Sequence, residues 1–272
     1  MTTTFSVLLS VYHREQPDVL HAALESVFQQ TIPPTEVVLV EDGPLTEALN
    51  SVITDFKKIH PELKSIRLHT NQGLGRALNE GLKHCHHELV ARMDTDDIAK
   101  PYRFERQLQV FREHPEVDVC GAWLDEFSED IKHIHSVKRL PETHAELYKY
   151  GQQRNPVNHP VVMFRREAVL HNGSYRDYPL FEDYFLWVRM LTNGCHFYSL
   201  QESLLYFRAS EDMFARRGGW RYALVEMRLQ FLFYGLRYIN FCTFLKNIFI
   251  RFTARIMPHR MRVWLYKKKL RK

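Results

Sequence analysis

Three carboxylates fall within four residues at Asp94, Asp96 and Asp97, directly after the apolar run Leu89-Val90-Ala91. A strand that ends in clustered acids places them at the carboxyl edge of a sheet, where open α/β sheets bind ligands. Carboxylates this close raise one another's pKa, and a divalent cation relieves the repulsion. Hard oxygen ligands suit Mg2+ or Mn2+, which keep waters and bind substrate phosphates as well. The same residues suit a solvated turn or a helix cap, because Asp caps well and a helix follows with Phe104, Leu108 and Phe111 on one face. A second acidic pair, Glu182-Asp183, opens another helical stretch. On the residues alone these are two charges favoured by a helix N-terminus. Asp42, before Gly43-Pro44, reads as a ligand group or as a turn residue.

The elements that position these groups alternate. Phe5 to Tyr12 is a strand pattern, and Pro17 opens a helix that buries Leu20, Leu24, Val27 and Phe28. Val37 to Val40 is the next strand, followed by a helix from about Thr46 to Ile59. Ile66 to Leu68 is a short strand, and a helix runs from the Asn71–Gly75 loop to about Lys83. Leu89 to Met93 is the fourth strand. Strand–helix alternation at this spacing predicts a parallel, Rossmann-like sheet. The Asp42 turn, the Asn71 loop and the Asp94 cluster then share one sheet edge. Beyond Phe111 the pattern predicts a strand or hairpin arm over 117–127 and irregular chain over 128–160. A short strand over 161–164, a helix over 182–191 and a hairpin or paired strands over 196–207 follow.

Length and composition fit one large domain with an appendage: 272 residues, 45% of them hydrophobic. The four cysteines form no Cys-x-x-Cys pair, so a zinc site or disulfide framework is not expected, and a reducing compartment fits. Residues 211–272 carry 15 Lys and Arg against 3 Asp and Glu, a net +12 in a chain whose total is +5. Apolar residues from Phe231 to Ile256 recur three and four apart, with Arg237, Asn240, Asn247, Arg251 and Arg255 on a neighbouring face. This spacing predicts one amphipathic helix. No stretch reaches 18 uncharged apolar residues, which argues against a membrane span. Aromatic and basic residues together after Pro258 suit an anionic membrane surface through 231–272 rather than nucleic acid. The alternative is a helical appendage packed on the body.

Six or seven segments in order resemble the GT-A glycosyltransferases of family 2, over about residues 5–210. They are SVLLSVYHRE (6–15), LESVFQQT (24–31), VVLVEDGP (37–44), NQGLGRALNEGL (71–82), ARMDTDDIAKPYRFERQ (91–107), NHPVVMFRRE (158–167) and FEDYFLWVRM (181–190). The resemblance implies an α/β GT-A fold: a Rossmann-like, mostly parallel sheet flanked by helices. The nucleotide-sugar half covers about 1–115, an acceptor half about 116–210, and a basic amphipathic extension 211–272.

It also implies an inverting transfer from a nucleotide-sugar, UDP-linked, to a lipid-linked or oligosaccharide acceptor in cell-surface polysaccharide synthesis. The implied place is the cytoplasmic face of the inner membrane. Ser10, Tyr12, Asp42, Gly73 and Arg76 match nucleotide-side positions. Asp94 and Asp96 match the Asp-x-Asp pair of a Mg2+ or Mn2+ site, Asp96 to contact the metal and Asp94 to address the ribose or a metal-bound water on the nucleotide side, with Asp97 left as a cap of the following helix. Asp183 matches the general base, with Glu182 as its neighbouring alternative. Arg208, Arg216 or Arg217 is expected to clamp the diphosphate, and His159 to face an acceptor or to serve as a structural hydrogen-bonder. The rival expectation is a catalytically inactive GT-A domain that binds nucleotide or glycan at the membrane.

Overall fold

The computed structural model describes residues 4–178, 180–209 and 219–256. Its N-terminal half alternates β1 (Phe5–Val11), α1 (Pro17–Phe28), β2 (Glu36–Glu41), α2 (Glu47–Ile59), β3 (Leu63–Arg67), α3 (Leu74–Lys83) and β4 (Leu89–Arg92). Next come β5 (Ile98–Ala99), α4 (Arg103–Glu113), β6 (Val117–Phe127), β7 (Ser136–Lys138), α5 (His144–Gly151), β8 (Met163–Arg165), α6 (Arg166–His171), α7 (Glu182–Thr192) and β9 (His196–Arg208). Two further helices follow, α8 (Trp220–Gly235) and α9 (Phe241–Ile256).

The nine strands make one sheet, ordered β3-β2-β1-β4-β8-β6-β9-β5, with β7 beside β6. β3, β2, β1 and β4 run parallel. Strand order reverses between β1 and β4, because the chain builds outward to β3 and then returns to the other side of β1. The crevice outside the carboxyl ends at such a reversal is where ligands bind. Past β4 the sheet is mixed: β8 is antiparallel to β4 and β6, and β9 is parallel to β6.

The strands read as continuous apolar runs because both sheet faces are covered. Successive residues serve opposite layers. Leu8, Val38 and Val40 pack with α3 and α7, whereas Val7, Leu9, Val37 and Leu39 pack with α1, α2 and α4. Thr46 caps α2 by accepting the Leu49 amide.

Three expectations change. Residues 128–160 hold α5, opened by a capping box of Thr143 and Glu146. Residues 196–208 form one long strand whose irregular register against β6 replaces the expected hairpin. The single C-terminal helix is two, joined by a bend at 236–240. Arg237 sits there at φ 57°, and Asn240 Oδ1 accepts the Thr243 amide.

The break rotates the two helical faces, so the polar side chains point inward. Asn247 donates to the Gln152 carbonyl and to Gln230 Oε1, both at 2.8 Å. Arg251 and Arg255 pair with buried Glu226, and Arg251 also donates to the Gln153 carbonyl. Phe231, Phe241, Leu245, Phe249 and Ile250 are left exposed, Phe249 by 74%. No helix among the described residues is long and apolar enough to cross a membrane. The basic stretch after Pro258 lies outside the described residues.

Candidate active site

The crevice between β1 and β4 collects the acidic residues. Arg92, the last residue of β4, is 1% exposed and pairs with Asp94. Asp94, Asp96 and Asp97 each bring a carboxylate oxygen within 4.8 Å of the others. Burial, then the charges of Asp94 and Glu15, push the Asp96 carboxyl up to about 7. Burial and the neighbouring acids hold Asp97 well above the carboxylate range. Asp97 does not cap α4: β5 intervenes, and the cap position belongs to Tyr102, which makes no side-chain cap bond. Instead Asp97 Oδ1 accepts the Arg208 amide at 2.9 Å, while Oδ2 has no partner. Three repelling oxygen donors, one of them orphaned, fit a hard divalent cation. Asp97 thereby joins the two donors that the sequence singled out.

Arg208 ends β9 against this cluster. Its Nε donates to the Asp96 carbonyl at 3.1 Å and its Nη1 to the Ser128 carbonyl at 3.3 Å. Arg216 and Arg217 lie outside the described residues.

Asp42 follows β2 and is buried. Its Oδ1 accepts the Gln72 amide at 2.7 Å, its Oδ2 accepts the Gly73 amide at 3.0 Å, and its carbonyl accepts from Asn71 Nδ2. The carboxylate thus fastens the Asn71 loop to the end of β2. Gly43 makes the approach possible, since it has φ 86° and a β-carbon there would meet the Asn71 nitrogen at 2.6 Å. Thr95 Oγ1 ties the acidic loop to the Ser10 carbonyl and to Glu15. Tyr12 is 37% exposed at the end of β1. Gly73 begins α3 with open space where a side chain would stand. Arg76 turns to Asp177, 2.6 Å away, in an exposed ion pair.

Glu182 and Asp183 open α7 beside the same loop; a β-carbon on Gly75 would touch the Glu182 β-carbon at 3.4 Å. Asp183 Oδ1 accepts the Tyr184 amide at 2.7 Å, and Oδ2 accepts from Asn155 Nδ2. Burial raises the Asp183 pKa, against the lowering effect of these bonds and of Arg92. Burial and the Asp183 charge push Glu182 up to about 7, and its Oε2 has no partner. The charge of Arg92 acts on Asp94, Asp96, Asp97, Glu182 and Asp183 alike, and its Nε and Nη1 make no hydrogen bond. Arg92 and Asn155 are the residues that sequence reasoning missed. The available signal for Arg92 was a cation at the end of an apolar strand, two positions before an acid. Asn155 had none, because its partner is 28 residues away.

His159 makes the structural hydrogen bond that was the second of its two expected roles. It is 8% exposed and shares a 3.0 Å hydrogen bond with the Tyr175 hydroxyl. It packs edge-on against Trp187, and burial keeps its pKa well below the ordinary value. It is a core residue, held between Tyr175 and Trp187.

Known proteins share this arrangement of sequence and fold. The family described as "Glycosyl transferase family 2" matches residues 6–173. The chain is 38% identical to the "UDP-Gal:alpha-D-GlcNAc-diphosphoundecaprenol beta-1,3-galactosyltransferase" of Escherichia coli, over 100% of this chain and 98% of that one. It is 41% identical to "Amylovoran biosynthesis glycosyltransferase AmsE" of Erwinia amylovora, over 97% and 98% of the two chains. Among solved structures, "S. aureus TarS 1-349 in complex with UDP-GlcNAc" superposes with a TM-score of 0.69 at 19% identity, covering 98% of this chain and 77% of that one.

Proposed function

The chain belongs to glycosyl transferase family 2, and from that premise we propose that it moves a sugar from a UDP-sugar to a lipid-linked glycan acceptor, with inversion, in cell-surface polysaccharide synthesis. One observation carries the reading. A single sheet edge gathers the Asp94–Asp97 triad, the Asn71 loop and Glu182-Asp183 around one buried arginine, Arg92. The UDP donor and the lipid diphosphate come from the name of the Escherichia coli relative.

In this reading Asp94, Asp96 and Asp97 would hold Mg2+ or Mn2+, which would supply Lewis-acid stabilisation of the leaving diphosphate. Arg208 and the two free donors of Arg92 supply further positive charge where negative charge grows as the glycosidic bond breaks. Ser10, Tyr12 and the Asp42-clasped loop flank the nucleotide. A carboxylate oxygen keeps a second lone pair, so Asp42 can hold the loop and still accept from a base.

Asp183 takes the proton of the acceptor hydroxyl as that oxygen attacks the anomeric carbon from the face opposite the diphosphate. The Tyr184 amide and Asn155 fix the Asp183 carboxylate, whereas Glu182 has a free oxygen and is the alternative base. The exposed apolar side of the α8–α9 hairpin, continued by the basic residues of 257–272, rests on an anionic membrane surface at the cytoplasmic face.

Asp96→Ala and Asp183→Asn proteins, assayed for sugar transfer and for donor hydrolysis, test these roles. Wild-type turnover in both would sink the assignment. UDP binding that ignores Mn2+, with no turnover by the wild type, would instead mark a binding protein.

A further inference from the structure

A second charged cavity, of about 380 Å³, lies along α7 away from the acidic crevice. Gly173, Arg176, Phe185, Arg189, Leu232 and Leu236 are among its lining residues. Arg189 is 5% exposed, and its three guanidinium nitrogens donate to the carbonyls of Phe185, Asn172 and Ser174. Its charge is met by no carboxylate among the described residues. The charge that acts on it is that of Arg176, which together with burial lowers its pKa to about 10.

The two guanidinium groups converge over Gly173. A β-carbon there would lie 3.2 Å from Arg189 Nη1 and 3.4 Å from Arg176 Nη2. Both also flank the Phe185 ring, 4.9 and 5.8 Å from its centre. Arg176 forms no ion pair with any described residue, since its neighbour Asp177 is engaged by Arg76. Two cations side by side, one of them buried, repel unless an anion lies between them. Guanidinium forks match phosphate oxygens, and the missing side chain of Gly173 lets both forks come together over its backbone.

Position gives the anion a source. Leu232 and Leu236, at the mouth, are 38% and 40% exposed and border the apolar side of the hairpin. Glu182 and Arg189 are seven residues apart and share a face of α7, about 10 Å apart along the axis. We propose that Arg176 and Arg189, with Gly173 between them, form a subsite for the phosphate groups of a membrane-borne ligand, the diphosphate of a lipid-linked acceptor. The proposal rests on the acceptor reading above.

Calorimetry on the full-length protein with inorganic pyrophosphate tests it. EDTA is present, so that the acidic triad repels the probe. Arg176→Gln and Arg189→Lys should each weaken binding about tenfold or more, and Arg176→Lys less, while Arg112→Gln on α4 leaves it unchanged. Arg176 is exposed, so its variants keep the fold. In transfer assays Arg176→Gln should raise KM about tenfold for an alkyl-diphosphate-linked N-acetylglucosamine. KM for the matching neutral alkyl glycoside and for the UDP-sugar should not move.

Pyrophosphate affinity equal in wild type and both arginine variants, or absent in the wild type, overturns the subsite. Loss of flotation on phosphatidylglycerol vesicles in Arg176→Gln, with unchanged pyrophosphate affinity and KM, assigns the arginines to lipid headgroups and overturns the acceptor assignment. Arg176-dependent pyrophosphate binding by a protein that glycosylates neither acceptor leaves the subsite standing and removes the acceptor reading.

Discussion

At the carboxyl edge of β1 and β4, like charges are pressed together and left without enough positive partners. In the C-terminal hairpin the opposite holds: Glu226 is buried between Arg251 and Arg255, and large apolar side chains face outward. The first region is electrostatically frustrated and apolar in its support. The second is electrostatically satisfied and apolar at its surface. Frustration of charge calls for a cation or a charged ligand, whereas frustration of apolar surface calls for an apolar phase or partner. The contrast teaches that charge count alone does not locate function. The net +12 of residues 211–272 marked the hairpin as an anion-seeking surface, yet Arg251 and Arg255 are spent on internal contacts, and Arg221, Arg228 and Arg237 are the described arginines left exposed.

The largest effect should come from the acidic crevice, and it should separate activity from stability. Asp96→Asn is expected to lower transfer about 10³-fold, the scale of losing one group that stabilises transition-state charge. In EDTA the same variant should melt at a higher temperature than wild type, because one member of a repelling triad is gone. Assays with Mn2+ and scanning calorimetry with EDTA check the two halves; a fall in both would erase the contrast.

Glu226→Gln should do the reverse. Removing the carboxylate takes from Arg251 and Arg255 the buried charge that they share, and breaking such a pair costs about 3 kcal/mol or more. Urea titration should show the loss, with proteolysis concentrated in α8 and α9. An unchanged unfolding midpoint would mean that the hairpin is not held through Glu226.

A smaller effect is expected on the outer side. Phe249→Ser with Ile250→Asn should shift stability by about 0.5 kcal/mol or less, as exposed substitutions do. Membrane affinity in flotation on anionic vesicles should fall about a hundredfold or more, because a buried Phe and a buried Ile are each worth about 1.5–3 kcal/mol in an apolar medium. Equal flotation would remove the membrane from the account of this surface.

The smallest belongs to His159, which is polar and buried yet lies in neither region. Its folded pKa is depressed, so below the ordinary value of 6.5 the unfolded chain binds a proton that the folded chain refuses. Stability is fully present above that pH and declines as pH falls below it, by about 1.4 kcal/mol per unit at most. Denaturation of wild type and His159→Gln at pH 7 and pH 5.5 should show a shallower pH slope in the variant.

The N-terminal half was legible because its signals are local. Apolar runs of four to seven residues, a helix period between them and turn chemistry at Gly43 and Gly73 each act over a few residues, and together they impose a parallel sheet. The placement of Asp42, the Asn71 loop and the triad at one edge follows from that sheet. The hairpin was misread for a related reason. Three-and-four spacing was continued through Gly235 and Arg237, although Gly235 and Asn240 carried a break and a cap. One bend then turned Asn247, Arg251 and Arg255 from a predicted outer face to an inner one. Asp97 was misread because a two-residue strand, fixed by pairing with distant Tyr206, stands between it and α4. The roles of Arg92 and Asn155 depend on contacts that no local pattern contains.

The clasp of Asp42 on the Gln72 and Gly73 amides has a thermodynamic consequence. A binding loop that is ordered when its ligand arrives must lose about 1–2 kcal/mol of backbone entropy per residue fixed. Here that loss is taken when the chain folds, since β2 ends in the carboxylate that holds the loop. In the proposed reading a nucleotide then meets a loop with little freedom left to surrender, and the entropy of its association would reflect the ligand and its water more than the protein.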